Sequence, residues 1–114
     1  MGESPLDRII ERIAQEVSRN PGSVRRIPAL ICRESPDTPV MDLVIALSSA
    51  ARALEGYFAE GGPAHHDAMD CWRMAALLAC DVHAAACMSL PHRTARDILA
   101  YWHAHDPYFL TPPT

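Results

Sequence analysis

The chain contains no lysine; all ten basic residues among its 114 are arginines. Beside the many alanines and ten prolines, this reflects a coding bias, so the missing lysine excludes no function. Glycine is scarce, at five residues. Phosphate-cradling loops need several glycines within a few positions so that the backbone can approach the ligand, and no such cluster occurs. No GxSxG elbow is present either. Few glycines and short connections leave little chain for an active-site cleft. The sequence therefore reads as non-enzymatic, with no cofactor implied. There is no CxxC pair, which removes common zinc-ribbon and thioredoxin-type spacings. The longest low-charge run is too short and too alanine-rich to span a bilayer, so no membrane partner is expected.

What remains is the composition of a folded globular chain, 49% hydrophobic and 21% charged, long enough for one domain. Net charge is -4, unevenly placed. Residues 1–35 carry a small positive excess and the rest is acidic, so any contact with a polyanion falls to the N-terminal third. The four cysteines are Cys32, Cys71, Cys80 and Cys87. Seven residues on one helix separate two Cα atoms by about 10 Å, so Cys80 and Cys87 are beyond the roughly 7 Å reach of a disulfide. Reduced thiols and the absence of a basic-then-apolar leader point to a cytoplasmic protein.

Hydrophobic periodicity predicts helices throughout. Ser4-Pro5 opens the first, with Leu6, Ile9, Ile10, Ile13 and Val17 on one stripe, and Asn20-Pro21-Gly22 ends it. Ser23 caps a second helix that Pro28 should shorten, kink or tighten toward 3₁₀. Asp37 or Thr38, followed by Pro39, begins a long helix through Val40, Leu43, Leu47, Ala51 and Phe58, stopped by Gly61-Gly62-Pro63. A further helix runs from about Ala64 to Ser89, and a last one from about Pro91 to His105. The expected fold is all-α, a small antiparallel bundle of four to five helices in a single domain. It comprises an N-terminal helical hairpin (4–33), a helical core (38–105) and an aromatic tail (106–114).

The segment Met74–Met88 is the most apolar part of the chain, with Asp81 its single formal charge. A helix apolar nearly all round needs cover on every side. The spacing of Met69, Trp72, Ala76, Ala79, His83, Ala86 and Leu90 predicts its packing seam, and the remaining apolar positions call for a second subunit. A protein partner, or the chain itself as a homo-oligomer, is therefore expected.

Three constellations carry candidate chemistry. Residues 13–27, IAQEVSRNPGSVRRI, resemble a helix-turn-helix unit over some fifteen positions, with Ala14 and Val24 at the small-to-hydrophobic spacing. The resemblance implies that Ser23, Arg25 and Arg26 face a DNA major groove. Cys80, His83 and Cys87 lie at i, i+3 and i+7 on one helix face and form a thiol-imidazole set suited to zinc or Cu(I), hence to a metal or redox sensor. The His83-x3-Cys87 pair resembles that of copper-sensing CsoR-type repressors. His65, His66, Asp67 and Asp70 cluster at the start of the same helix; the His66-Asp67 doublet resembles that of metal phosphohydrolases but lacks an upstream histidine, and the acids complement the helix dipole instead. Finally, four of the seven aromatics (Tyr101, Trp102, Tyr108 and Phe109) fall near the C-terminus. They form either a partner-binding surface or a clasp over the end of the bundle.

The reading that follows is a small cytoplasmic interaction or regulatory module, oligomeric through its central helix and aromatic C-terminus. The alternatives are a DNA-binding regulator using residues 13–27 and a sensor using Cys80, His83 and Cys87.

Overall fold

A computed structural model describes residues 4–57 and 63–111, and five α-helices make up most of them. These are α1 (Pro5–Arg19), α2 (Ile27–Glu34), α3 (Val40–Tyr57), α4 (Pro63–Cys87) and α5 (Ala95–His105). A 3₁₀ turn at Val24–Arg26 precedes α2, and another at Tyr108–Leu110 follows α5. There is no strand among the described residues, only an isolated bridge between Pro39 and Thr94. The expected all-α bundle is the observed fold; Phe58 and Gly61-Gly62 lie outside the described residues.

Local chemistry accounts for most helix ends. Ser4 caps α1 through a reciprocal box: its Oγ accepts from the Asp7 N–H at 3.1 Å, and Asp7 accepts from the Ser4 N–H at 3.4 Å. Gly22 follows α1 with φ of 86°, a conformation that a side chain resists. Its N–H donates to Asp67 Oδ1 at 2.9 Å, tying the hairpin turn to α4. Pro28 does not kink a helix. The 3₁₀ turn ends at Arg26 and α2 starts at Ile27, so Pro28 occupies the first turn, where no helical acceptor awaits its missing N–H.

The last helix starts later than periodicity predicts, at Ala95 rather than Pro91. Thr94 and Asp97 form a second capping box, with both bonds at 3.2 Å. Upstream, α4 stops at Cys87, two residues short of the expected end. Ser89 adopts φ of 60°, and the Leu90 N–H closes back on Ala85 O at 2.9 Å, the signature of a left-handed helix stop. The freed segment pairs with the start of α3 through Val40 N to Arg93 O (2.8 Å) and Ala95 N to Thr38 O (2.7 Å).

Packing centres on α3 and α4, with α1 against α3 and α2 against α5. The predicted seam of α4 is displaced by about a third of a turn. Its buried positions are Asp67, Ala68, Cys71, Met74, Ala75, Leu78, Asp81 and Ala85, a stripe at one-, three- and four-residue steps. Met69, Ala76, Ala79, His83 and Ala86 lie on the exposed side. The pattern could be displaced because both faces are apolar, so spacing alone does not choose between them. The choice follows the bulky Leu78 and Met74, which gain more from burial than alanines do.

The molecule measures 43 × 41 × 20 Å. A thickness of 20 Å holds two layers of helices of roughly 10 Å diameter. Within it, Trp102 of α5 is fully buried, and its Nε1 donates to Asp81 Oδ2 at 2.9 Å. Burial, and then the neighbouring Asp106 carboxylate, push Asp81 from an ordinary 3.8 up to about 6, partly opposed by the Trp102 bond.

Two outcomes follow. Leu78→Ala should cost about 2–5 kcal/mol in denaturant unfolding, whereas Leu77→Ala, at a position 39% exposed, should cost less than about 1 kcal/mol. Because folded Asp81 keeps its proton where the unfolded chain has lost it, its contribution to stability is full below 3.8 and falls as pH rises toward about 6. Asp81→Asn keeps an acceptor for Trp102 and should abolish this decline in melting temperature; parallel wild-type and variant curves would contradict the assignment.

Candidate functional site

The outer face of α4 is the most distinctive surface of the described chain. Opposite the core, Met69, Ala76, Cys80, His83 and Cys87 follow one another at helical spacing, flanked by Leu77 and Met88. Met69 and Leu77 on α4 and Met88 just past its end are 41%, 39% and 49% exposed, unusual for large apolar side chains so close together in sequence. From Ala76 to Met88 no exposed residue carries a formal charge, since Asp81 is turned inward.

The antiparallel neighbour α3 carries exposed apolar residues of its own. Trp72 of α4 donates through Nε1 to Glu55 of α3 across the exposed side of the pair. On α3, Ile45 and Met41 are also exposed apolar residues. They are 44% and 52% exposed. Sequence reasoning missed these two because the stripe of α3 buries its other side, at Val40, Leu43, Leu47 and Ala51. The signal was present: Met41 and Ile45 are apolar residues four apart, off that stripe.

The thiol-imidazole set lies on this exposed face. His83 Nε2 is 3.4 Å from Cys87 Sγ, and Cys80 is exposed one turn earlier. Among the described residues no group of three or more His, Cys, Asp or Glu side chains is gathered closely enough to hold a metal ion. The other two thiols belong to the core. Burial pushes Cys32 and Cys71 up to about 12, with Asp67 and Asp70 adding to the effect at Cys71. Neither is a nucleophile at neutral pH.

The histidine-aspartate cluster divides between structural tasks. Asp67 is 3% exposed and holds the Gly22 turn, while Asp70 meets Arg73 at 3.5 Å. The expectation that Asp67 chiefly serves the helix dipole is corrected accordingly. His65 and His66 stand edge to face, with ring centres 6.2 Å apart.

The aromatic C-terminus is mostly interior. Trp102 is 0% and Phe109 4% exposed, their rings 4.6 Å apart, and Tyr101 is buried as well. As a partner surface, Tyr101, Trp102 and Phe109 are therefore corrected to a clasp: the chain turns at Asp106-Pro107 and folds Phe109 back over Trp102. Burial also raises the Tyr101 hydroxyl above its ordinary range. Tyr108 is exposed but already engaged, since the Arg25 guanidinium sits 4.3 Å from its ring centre.

That contact bears on the helix-turn-helix residues. Arg25 is drawn against Tyr108 and its Nε is buried without a partner, and the Ser23 hydroxyl donates to Asn20 O at 2.6 Å. Only Arg26 of the three projects freely. The helix that would read DNA, α2, has eight residues, and Ile27, Pro28, Ala29, Ile31 and Cys32 are buried.

No helix among the described residues is long and apolar enough to cross a membrane. No protein-family model matches the chain, and neither a curated protein nor a solved structure matches it.

Proposed function

We propose that the protein is a non-enzymatic interaction module that docks a protein partner, and first of all a second copy of itself, on the outer face of α4 and its α3 flank. One observation carries this reading: the face from Ala76 to Met88 is exposed, apolar and free of formal charge. Contiguous apolar patches on soluble chains mark association surfaces. A face without charge meets its own copy with no like-charge repulsion, as a two-fold contact requires. Ala76, Ala79 and Ala86 allow two helix backbones to approach closely.

Light scattering should give a mass above the 12.5 kDa of one chain. The double substitution Leu77→Glu, Met88→Glu should return it to 12.5 kDa with helicity retained, because both side chains are exposed. A wild-type protein that stays at one chain's mass at high concentration would remove self-association.

A second reading, a metal or redox sensor, draws support from the 3.4 Å approach of His83 to Cys87. It predicts stoichiometric zinc or Cu(I) uptake that Cys87→Ser abolishes; a wild-type protein that takes up neither metal would discard it. The DNA-binding alternative draws less support, because Arg25 is occupied by Tyr108 and α2 has few free positions.

A further inference from the structure

A cavity of about 480 Å³ opens between the C-terminal end of α1, the turn before α2, α2 itself and the turn after α5. This lies in the range of small-molecule sites, roughly 300–1,000 Å³. Its walls differ in character. Leu30, Phe109 and Leu110 supply an apolar side, and Arg26 and Arg33 supply a cationic one. Arg26 closes the 3₁₀ turn and Arg33 lies near the end of α2, and both line the same cavity.

Their charges are not answered within the fold. Neither Arg26 nor Arg33 has an ion-pair partner among the described residues. The acids that could serve are taken by Arg12. It holds Glu34 through two bonds, at 3.1 and 2.8 Å, and Glu16 at 2.8 Å. Glu16 lines the cavity but also accepts from Asn20 at 2.9 Å. Arg12 first, then Asn20, hold Glu16 below its usual range, so it stays an engaged carboxylate. Arg12, Glu16 and Glu34 together leave one negative charge. Arg26 and Arg33 outweigh it, with Arg19 close enough to act on Glu16 as well.

The apolar wall is built rather than incidental. Phe109 is held by Trp102 at 4.6 Å and by Tyr108 at 5.3 Å, and Tyr108 is in turn covered by Arg25. The wall exists before any ligand arrives, which lowers the ordering cost of binding.

We propose that this cavity binds a small amphipathic organic anion, with a carboxylate or phosphate head between Arg26 and Arg33 and an apolar body against Leu30, Phe109 and Leu110. The site shares no residue with the α4 face, so it stands or falls independently of self-association.

The test is a titration of the full chain followed by amide NMR shifts, with octanoate, octyl phosphate and 1-octanol as probes. At least one of the anions should give saturable shifts confined to residues 20–33 and 108–111, with a Kd of about 1 mM or tighter. Octanol should give none at the same concentration, and added salt should weaken the anion. Arg26→Gln combined with Arg33→Gln, both exposed, should weaken binding about tenfold or more while amide dispersion is kept. Leu77→Glu should leave binding unchanged. Equal binding of octanol, undiminished binding by the double variant, or no saturation with either anion would overturn the proposal.

Discussion

The structure depends on one buried hydrogen bond, from Trp102 Nε1 to Asp81 Oδ2. Trp102 leads the largest fully buried side chains, and its ring nitrogen cannot be left without an acceptor in the core at a cost below about 1–3 kcal/mol. Asp81 supplies that acceptor from the C-terminal third of α4, and so sets where α5 crosses it. The placement of α5 in turn sets Phe109, which stacks on Trp102, then Tyr108 and Arg25. A line of contacts thus runs from the central helix to the N-terminal hairpin and the cationic cavity. The arrangement carries an electrostatic cost: a carboxylate desolvated beside Asp106 holds its proton more tightly than it would in water.

The second constraint is thickness. A 20 Å slab gives α3 and α4 cover on one side. The longest helix therefore has an inner face of Leu78, Met74 and Cys71 and an outer face of Met69 and Leu77, continued past its end by Met88. The cysteines sort the same way. Cys32 and Cys71 are small core residues with strongly raised thiols, while Cys80 and Cys87 lie outside beside His83. The same residue type serves packing on one face and is available to solution chemistry on the other.

Arg12 divides the acidic and basic groups of the hairpin. By binding Glu16 and Glu34 together it joins α1 to α2 and leaves Arg26 and Arg33 without acids. Exposed ion pairs add little stability singly, so the consequence here is a matter of charge placement. Two of the six arginines of the N-terminal third, Arg26 and Arg33, line the same cavity.

Five helices, their order and most of their ends were legible in the sequence, because these are local matters. Ser4-Pro5 and Asn20-Pro21-Gly22 act through the backbone of their own neighbours. Thr94 to Asp97 was equally readable as a capping box and would have corrected the start of α5. Asp81 was visible as the lone charge in an apolar helix, but its partner lies 21 residues away and no spacing rule points to it. The inward face of α4 was undetermined for the same reason: apolar residues occupy both sides, so periodicity is satisfied twice. Only packing decided, by placing Leu78 inside and Leu77 outside. The sequence by itself determined that Met74–Met88 is apolar on more than one side, with Asp81 its single formal charge. The tertiary structure decided which side of that helix is left bare, because long-range contacts, unlike helix propensity, depend on where the rest of the chain comes to lie.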